Sequence, residues 1–216
     1  MKNIPLLLGT IFGTILLIVG VAYFFSQSPS AETAQEIDPV LLTQDAHNSL
    51  GPADAVITVV EFSDFQCPAC KAAQPVVEQM KSQYGDAVRF IYYHYPLDSL
   101  HANAHLAAQA SEAAAQLGKF WQYHDLLFAK QAEWSDIADK RQLLDTFGEY
   151  ATQLEVDKAS FLERIESQEV ADRITKDINL GDTVQVRATP TFFVNGRQTT
   201  APQLLAAVES ASADSN

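Results

Sequence analysis

The alternation of apolar and polar positions divides the chain into stretches of different character. From Leu6 to Phe25, 20 consecutive residues carry no charge and nearly all are apolar. As a helix rising about 1.5 Å per residue they span roughly 30 Å, the thickness of a hydrocarbon core. Lys2 precedes this run, no other basic residue appears before Lys71, and Glu32, Glu36 and Asp38 follow it. The positive-inside rule then expects a cytoplasmic N-terminus and an extracytoplasmic remainder. Residues 1–25 are therefore predicted to be a signal anchor. A form secreted after cleavage is the alternative, because Gly20-Val21-Ala22 has the small-x-small pattern of a cleavage site. Residues 26–50, with Ser-Gln-Ser-Pro-Ser, scattered acids and no sustained periodicity, are predicted to be a linker.

After Gly51-Pro52 the periodicity becomes informative. Ala55 to Phe62 is rich in Val, Ile and Thr and predicts a buried strand. Pro68 suits the first turn of a helix running to about Tyr84, kinked at Pro75 and stopped by Gly85. Val88 to Tyr93 predicts a second strand, and strand, helix, strand implies a crossover with parallel pairing. From Asp98 to Leu180, alanines at 102, 104, 107, 108, 110 and 113–115 and later apolar residues at helical spacing predict four or five helices. Thr191 to Val194 is a short strand, Asn195-Gly196 a tight hairpin turn, Arg197 to Thr199 the returning strand, and Pro202 to about Ser210 a last helix. The expected fold class is α/β, in one domain over 51–210 with a helical insertion at about 98–181 and a tail at 211–216.

Composition narrows the function. Fourteen basic against 27 acidic residues leave a net charge of −13. That excludes a nucleic-acid partner, which needs a basic surface to release counterions, and charge-driven adhesion to anionic lipid. An apolar content of 47% is enough for a real core. Two cysteines exclude a disulfide-rich scaffold and a four-cysteine zinc site, so Cys67 and Cys70 act as one pair. Cys-x-x-Cys at the start of a helix exposes the first sulfur to unpaired amides and the positive dipole end, which favours a thiolate. Its second sulfur lies one turn on, near enough to close a disulfide. The motif alone also fits half a metal site or a structural bridge.

The surrounding residues are more specific. Glu61-Phe62-Ser63-Asp64-Phe65-Gln66-Cys67-Pro68-Ala69-Cys70 resembles the DsbA-like branch of the thioredoxin superfamily, whose motif reads Glu-Phe-x-Asp-Phe-x-Cys-Pro-x-Cys. Arg89 to Leu97, Gly118 to Phe128 and Ala188 to Gly196 resemble further blocks of that family, so the likeness covers about Gly51 to Glu209. It implies a thioredoxin-like fold with an inserted helical domain, here preceded by a transmembrane helix, and an extracytoplasmic thiol-disulfide oxidoreductase. By the same resemblance Cys67 is the nucleophile and Cys70 the resolving cysteine. Pro190 is the cis-proline, and Thr189, with Pro68 and Ala69, meets an extended substrate peptide. Glu61, six residues before Cys67, is a buried acid able to relay a proton to Cys70. No cofactor or metal is implied. Reduced or disulfide-bonded extracytoplasmic proteins are the expected partners, with a quinone-linked DsbB-type membrane oxidase to restore the disulfide. Ala69 stands where the strongest oxidants carry histidine, which leaves the direction open between oxidase and reductase or isomerase.

Other features have plainer readings. His101 and His105 share the i, i+4 spacing of a helical metal pair but lack the glutamate that a His-Glu-x-x-His site needs. His94 is expected in an aromatic cluster, and Phe120, Trp121 and Phe128 in the core of the helical block. A non-catalytic dithiol module that binds soft metal or acts as a chaperone is the alternative function. Methionine at positions 1 and 80 alone gives it little ligand support.

Overall fold

The computed structural model describes Leu17 and residues 36–214. Apart from Leu17, the anchor expected over residues 6–25 lies outside the described residues. Among the described residues no helix is long and apolar enough to cross a membrane. The stretch 36–50, expected as linker, carries structure. Helix α1 (Pro39–Thr43) is capped by the Asp38 carboxylate, which accepts the Val40 N–H, and strand β1 covers Ser49–Leu50. Glu36 bridges to Arg197, and Ile37 donates its N–H to the Gly196 carbonyl at 2.7 Å.

Strands β2 (Ile57–Ser63), β3 (Val88–His94), β4 (Thr191–Val194) and β5 (Arg197–Thr199) complete a five-stranded sheet of order β1-β3-β2-β4-β5. The β2–β3 pair is parallel and the other three pairs are antiparallel. Helix α2 (Pro68–Tyr84) makes the crossover and runs unbroken through Pro75. The pleat sorts residues onto two faces. On one face, Val59, Phe90, Phe192 and Val194 pack against Ala73, Val77 and Met80 of α2 and against Leu204 and Val208 of the last helix, α9 (Leu204–Ala213). On the other, Val60, Phe62, Ile91, Tyr93 and Phe193 meet Leu42, Val184 and Val186. Leu42 also anchors α1 through its carbonyl, which accepts the Tyr93 hydroxyl at 3.0 Å.

The insertion holds six helices among the described residues, where four or five were expected. They are α3 (Ala104–Ala115), α4 (Phe120–Ala129), α5 (Gln131–Trp134), α6 (Lys140–Gln153), α7 (Lys158–Ile165) and α8 (Gln168–Thr183). The additional one, α5, spans a single turn, too short to show a period. Asp139, Asp157 and Ser167 cap α6, α7 and α8 by accepting the N–H groups of Gln142, Ser160 and Val170. A buried ionic cluster ties the insertion to the sheet. Glu112 of α3 lies 2.8 Å from His94 Nε2 and 3.3 Å from His47 Nε2, accepts from Asn48 Nδ2, and accepts from Arg173 of α8 at 3.3 Å. Burial alone would push the Glu112 carboxyl up, but His47 and His94 hold it well below the usual carboxylate range. Asp177 of α8 accepts the His94 backbone N–H at 3.0 Å, and burial raises its pKa to about 6.

The β4–β5 turn shows why its sequence is Asn-Gly. Both residues have positive φ, 47° and 85°, which suits a tight hairpin. A Cβ on Gly196 would sit 2.1 Å from the Ile37 carbonyl oxygen, so the turn and the 36–43 segment are fitted to each other. Gly196→Ala is expected to destabilise the fold by roughly 1–3 kcal/mol in urea unfolding and to expose α1 to protease. An unchanged midpoint would show that this segment contributes nothing to stability.

Candidate active site

Strand β2 ends at Ser63, and the chain turns over Asp64–Gln66 before α2 begins. Asp64 builds this turn. Its carbonyl accepts the Cys67 N–H at 3.1 Å, Oδ1 accepts the Gln66 N–H at 2.7 Å and Oδ2 accepts the Leu97 N–H at 3.0 Å. His101 Nδ1 lies 2.6 Å from Oδ2. The insertion holds the same loop from the other side. Gln131 donates to the carbonyls of Phe65 and Cys67 at 2.8 and 3.0 Å. Gln66 donates to the Ser135 carbonyl at 2.8 Å and accepts from the Asn103 N–H at 2.7 Å. The loop before the cysteines is thereby fixed by residues 33 to 69 positions away in sequence.

Cys67 is the N-cap of α2, with extended backbone and Pro68 at the first helical position. No side chain caps this end, so its amides face the Cys67 sulfur. Cys67 is 6% exposed, and its sulfur lies 3.4 Å from the Thr189 carbonyl oxygen, which accepts from the thiol. Thr189-Pro190 is cis. Pro68 and Ala69 are exposed beside the sulfur, Pro190 is half-buried, and Cys70 is fully buried. Both cysteines are free thiols in this structure.

The two sulfurs differ sharply in acidity. Hydrogen bonding from Cys70 contributes most to lowering the Cys67 pKa to about 5. Burial opposes this, while the Thr189 side chain and the amides of Cys70 and Ala69 add to it. Burial drives Cys70 the other way, to well above an ordinary thiol, and the Cys67 and Glu61 side chains reinforce the shift. Glu61 is buried beneath the pair, and loss of solvent raises its carboxyl to about 7 although the Lys81 charge pulls it down. Neither of its oxygens has a hydrogen-bond partner. This carboxyl is therefore poised to hold or release a proton near neutral pH.

The structure brings Cys67, Cys70, Glu61, Pro68, Ala69, Thr189 and Pro190 to one end of the sheet. His101 and His105 do not meet as a pair. They face Asp64 and Asp98 respectively, and no cluster of three or more metal-ligating side chains occurs among the described residues. His94 packs among Phe65, Tyr92 and Phe120, and Phe120 and Phe128 are buried. Trp121 is only partly buried, between Phe90 and Phe120. Sequence reasoning passed over Asp64, Gln66 and Gln131. Asp64, three residues ahead of a helix-opening cysteine, carried a turn signal; the glutamines carried none.

The comparisons agree with this geometry. The thioredoxin family model matches residues 43–211. The chain therefore belongs to the thioredoxin family, and its fold is that of the DsbA-like members. A thioredoxin-like oxidoreductase from Silicibacter pomeroyi DSS-3 is 26% identical, with a TM-score of 0.67 over 82% of this chain and 99% of that one. Oxidised BdbD from Bacillus subtilis is 25% identical, with a TM-score of 0.66 over 86% and 98%. The thiol-disulfide exchange protein alpha-DsbA2 from Wolbachia pipientis, 17% identical with a TM-score of 0.66 over 80% and 90%, shares the fold. Among curated sequences, the Na(+)/H(+) antiporter NhaA 3 of Salinispora tropica is 40% identical over 167 residues, 77% of this chain and 24% of the antiporter. The chain spans about a quarter of the length of such relatives, so antiport is not carried over by the match.

The asymmetry of the thiols is directly measurable. In the reduced protein, iodoacetamide is expected to modify Cys67 with a rate that rises through about pH 5 and is level at pH 7, while Cys70 stays unmodified until the chain unfolds. Labelling of Cys70 first at neutral pH would contradict the assignment.

Proposed function

We propose that the chain is an extracytoplasmic thiol-disulfide oxidoreductase that oxidises reduced client proteins and is held at the membrane by residues 1–25. The observation that carries this reading is the placement of a low-pKa sulfur, Cys67, at the helix opening against Thr189-Pro190 with a high-pKa sulfur directly beneath it. In the oxidised protein a client thiolate attacks Cys67. The Cys67–Cys70 bond breaks, a client–Cys67 bond forms, and Cys70 takes up a proton from Glu61. A second client thiolate then attacks its partner sulfur and releases Cys67 as a thiolate. Low pKa makes Cys67 a good leaving group, so the reaction favours the oxidised client. A quinone-linked membrane oxidase of the DsbB kind returns the protein to its disulfide form.

An open, largely apolar groove of about 530 Å³ lined by Ala69, Ala72, Val76, Pro190, Ala201 and Pro202 reaches the residues next to Cys67 and Thr189 in the chain and suits an extended client segment. The hydrophobic stretch Leu6 to Phe25, with acids after it, supports the anchor and outward orientation.

Membranes carrying the full chain in oxidised form, washed with alkaline carbonate, are expected to oxidise a reduced unfolded protein added from the outer side. Cys70→Ser should accumulate client-linked species through Cys67, and Cys67→Ser should be inert. Activity recovered only in the soluble fraction would overturn the anchor. Full activity of Cys67→Ser would overturn the mechanism.

A further inference from the structure

The contacts that hold the exchange loop from the insertion side converge on α5, a single turn over Gln131–Trp134 with Ser135 as its C-cap. Gln131 is buried. Its Nε2 donates to the Phe65 carbonyl at 2.8 Å and to the Cys67 carbonyl at 3.0 Å, so both amide protons are committed to this loop. The Ser135 carbonyl adds a third tie by accepting from Gln66 Nε2 at 2.8 Å.

The two carbonyls that Gln131 holds are mechanically special. A peptide unit ordinarily offers an N–H and a C=O as anchors, but the Cys67–Pro68 unit has no N–H. Its carbonyl is the only handle. That oxygen accepts the Lys71 N–H of the first helical turn at 3.2 Å and the Gln131 amide at 3.0 Å. The preceding unit, Gln66–Cys67, is held through the Cys67 N–H, which donates to the Asp64 carbonyl at 3.1 Å. The unit before that, Phe65–Gln66, is held at both ends: its N–H donates to Asp64 Oδ1 at 2.7 Å, and its carbonyl accepts from Gln131. Gln131 therefore reaches across the nucleophile and fixes the peptide planes on both sides of it.

We infer that Gln131 is a positioning residue for disulfide exchange, a clamp that fixes the Cys67 backbone so that its sulfur stays against the first amides of α2 and the Thr189 carbonyl. Where the sulfur lies relative to those amides is set by the Cys67 dihedrals, φ −69° and ψ 122°. Rotation about ψ swings the helix amides away from the sulfur, and the clamp on the carbonyl resists that rotation. The attraction of a helix N-terminus for an anion fades within one turn, so a small swing is enough to weaken the thiolate. The reduced form carries the thiolate and the disulfide form does not, so loosening the clamp shifts the redox balance toward the disulfide. The redox effect rests on the reading that Cys67 and Cys70 exchange disulfides; the effect on the thiolate does not. Gln131 is uncharged, so it acts by geometry, and Cys70 and Glu61 beneath the sulfur are the same in every variant below.

The test is the full chain carrying Gln131→Met, which keeps the side-chain length and removes both donors. Ultraviolet absorbance of the Cys67 thiolate against pH reads its midpoint, about 5 in the wild type. In Gln131→Met the midpoint is expected to rise by about one pH unit, and the equilibrium with glutathione at pH 7 to shift about tenfold toward the disulfide form. Gln131→Asn keeps the amide on a shorter arm and is expected to fall between the two. Tyr123→Phe removes a hydrogen bond elsewhere in the insertion, to the Phe147 carbonyl, and is expected to lower the urea midpoint while leaving the thiolate midpoint in place. A thiolate midpoint unmoved in folded Gln131→Met or Gln131→Asn would overturn the clamp. An equal rise in Tyr123→Phe would also overturn it, by showing general loosening of the insertion. A wild-type chain that forms no Cys67–Cys70 bond in the glutathione buffer would defeat the exchange reading instead, and the thiolate midpoints would still decide the clamp.

Discussion

The meeting of the Cys67 sulfur with the first amides of α2 and with the Cys70 thiol is the interaction on which the rest of the structure depends. A helix N-terminus stabilises an anion only if that anion sits at its axis and no side chain competes for the free N–H groups. Cys67 occupies the cap position itself, with Pro68 filling the first helical place where an N–H would go unused. The sheet supplies a rigid start at Ser63, and the turn built by Asp64 aims the sulfur. Thr189 closes the opposite side at 3.4 Å.

The helical insertion has a mechanical part in this arrangement. Gln131, Asn103 and His101 grip the residues just before Cys67, and the Glu112 cluster fastens the insertion to β3 and to the segment before β1. A loop carrying an anion without such supports would relax toward solvent. The buried carboxylates are tolerated because each has histidine beside it. Glu61 has no comparable partner, and its raised pKa follows from that isolation.

Much of this was legible in the sequence, for physical reasons that also mark the limits. Thr191–Val194 and Arg197–Thr199 were placed correctly because an Asn-Gly turn fixes register locally. The α2 boundaries followed from Pro68 and Gly85. The cysteine pair came from its Cys-x-x-Cys motif, and Thr189-Pro190 and Glu61 from the resemblance to the DsbA-like family. Segment 36–50 was missed because one short helix and a two-residue strand leave no period to detect. The grip of Gln66 and Gln131 was hidden because its contacts span 37 to 69 residues. The placement of Tyr92 beside Glu61 needed the β2–β3 register, which periodicity does not provide. His101 and His105 show the converse: helical spacing pairs them on paper, while Asp64 and Asp98 claim them separately in the fold.

The central claim is that the folded chain stabilises the Cys67 thiolate. Because its pKa falls from an ordinary 9.0 to about 5, the stabilisation is present in full above pH 9 and is lost as pH falls through about 5. The oxidised protein lacks this group. Urea unfolding of the reduced and oxidised forms in parallel from pH 4 to pH 9 therefore tests the account most directly. The reduced form is expected to gain stability relative to the oxidised one steadily from about pH 5 to pH 9. A difference between the two forms that stays constant over that range would contradict it.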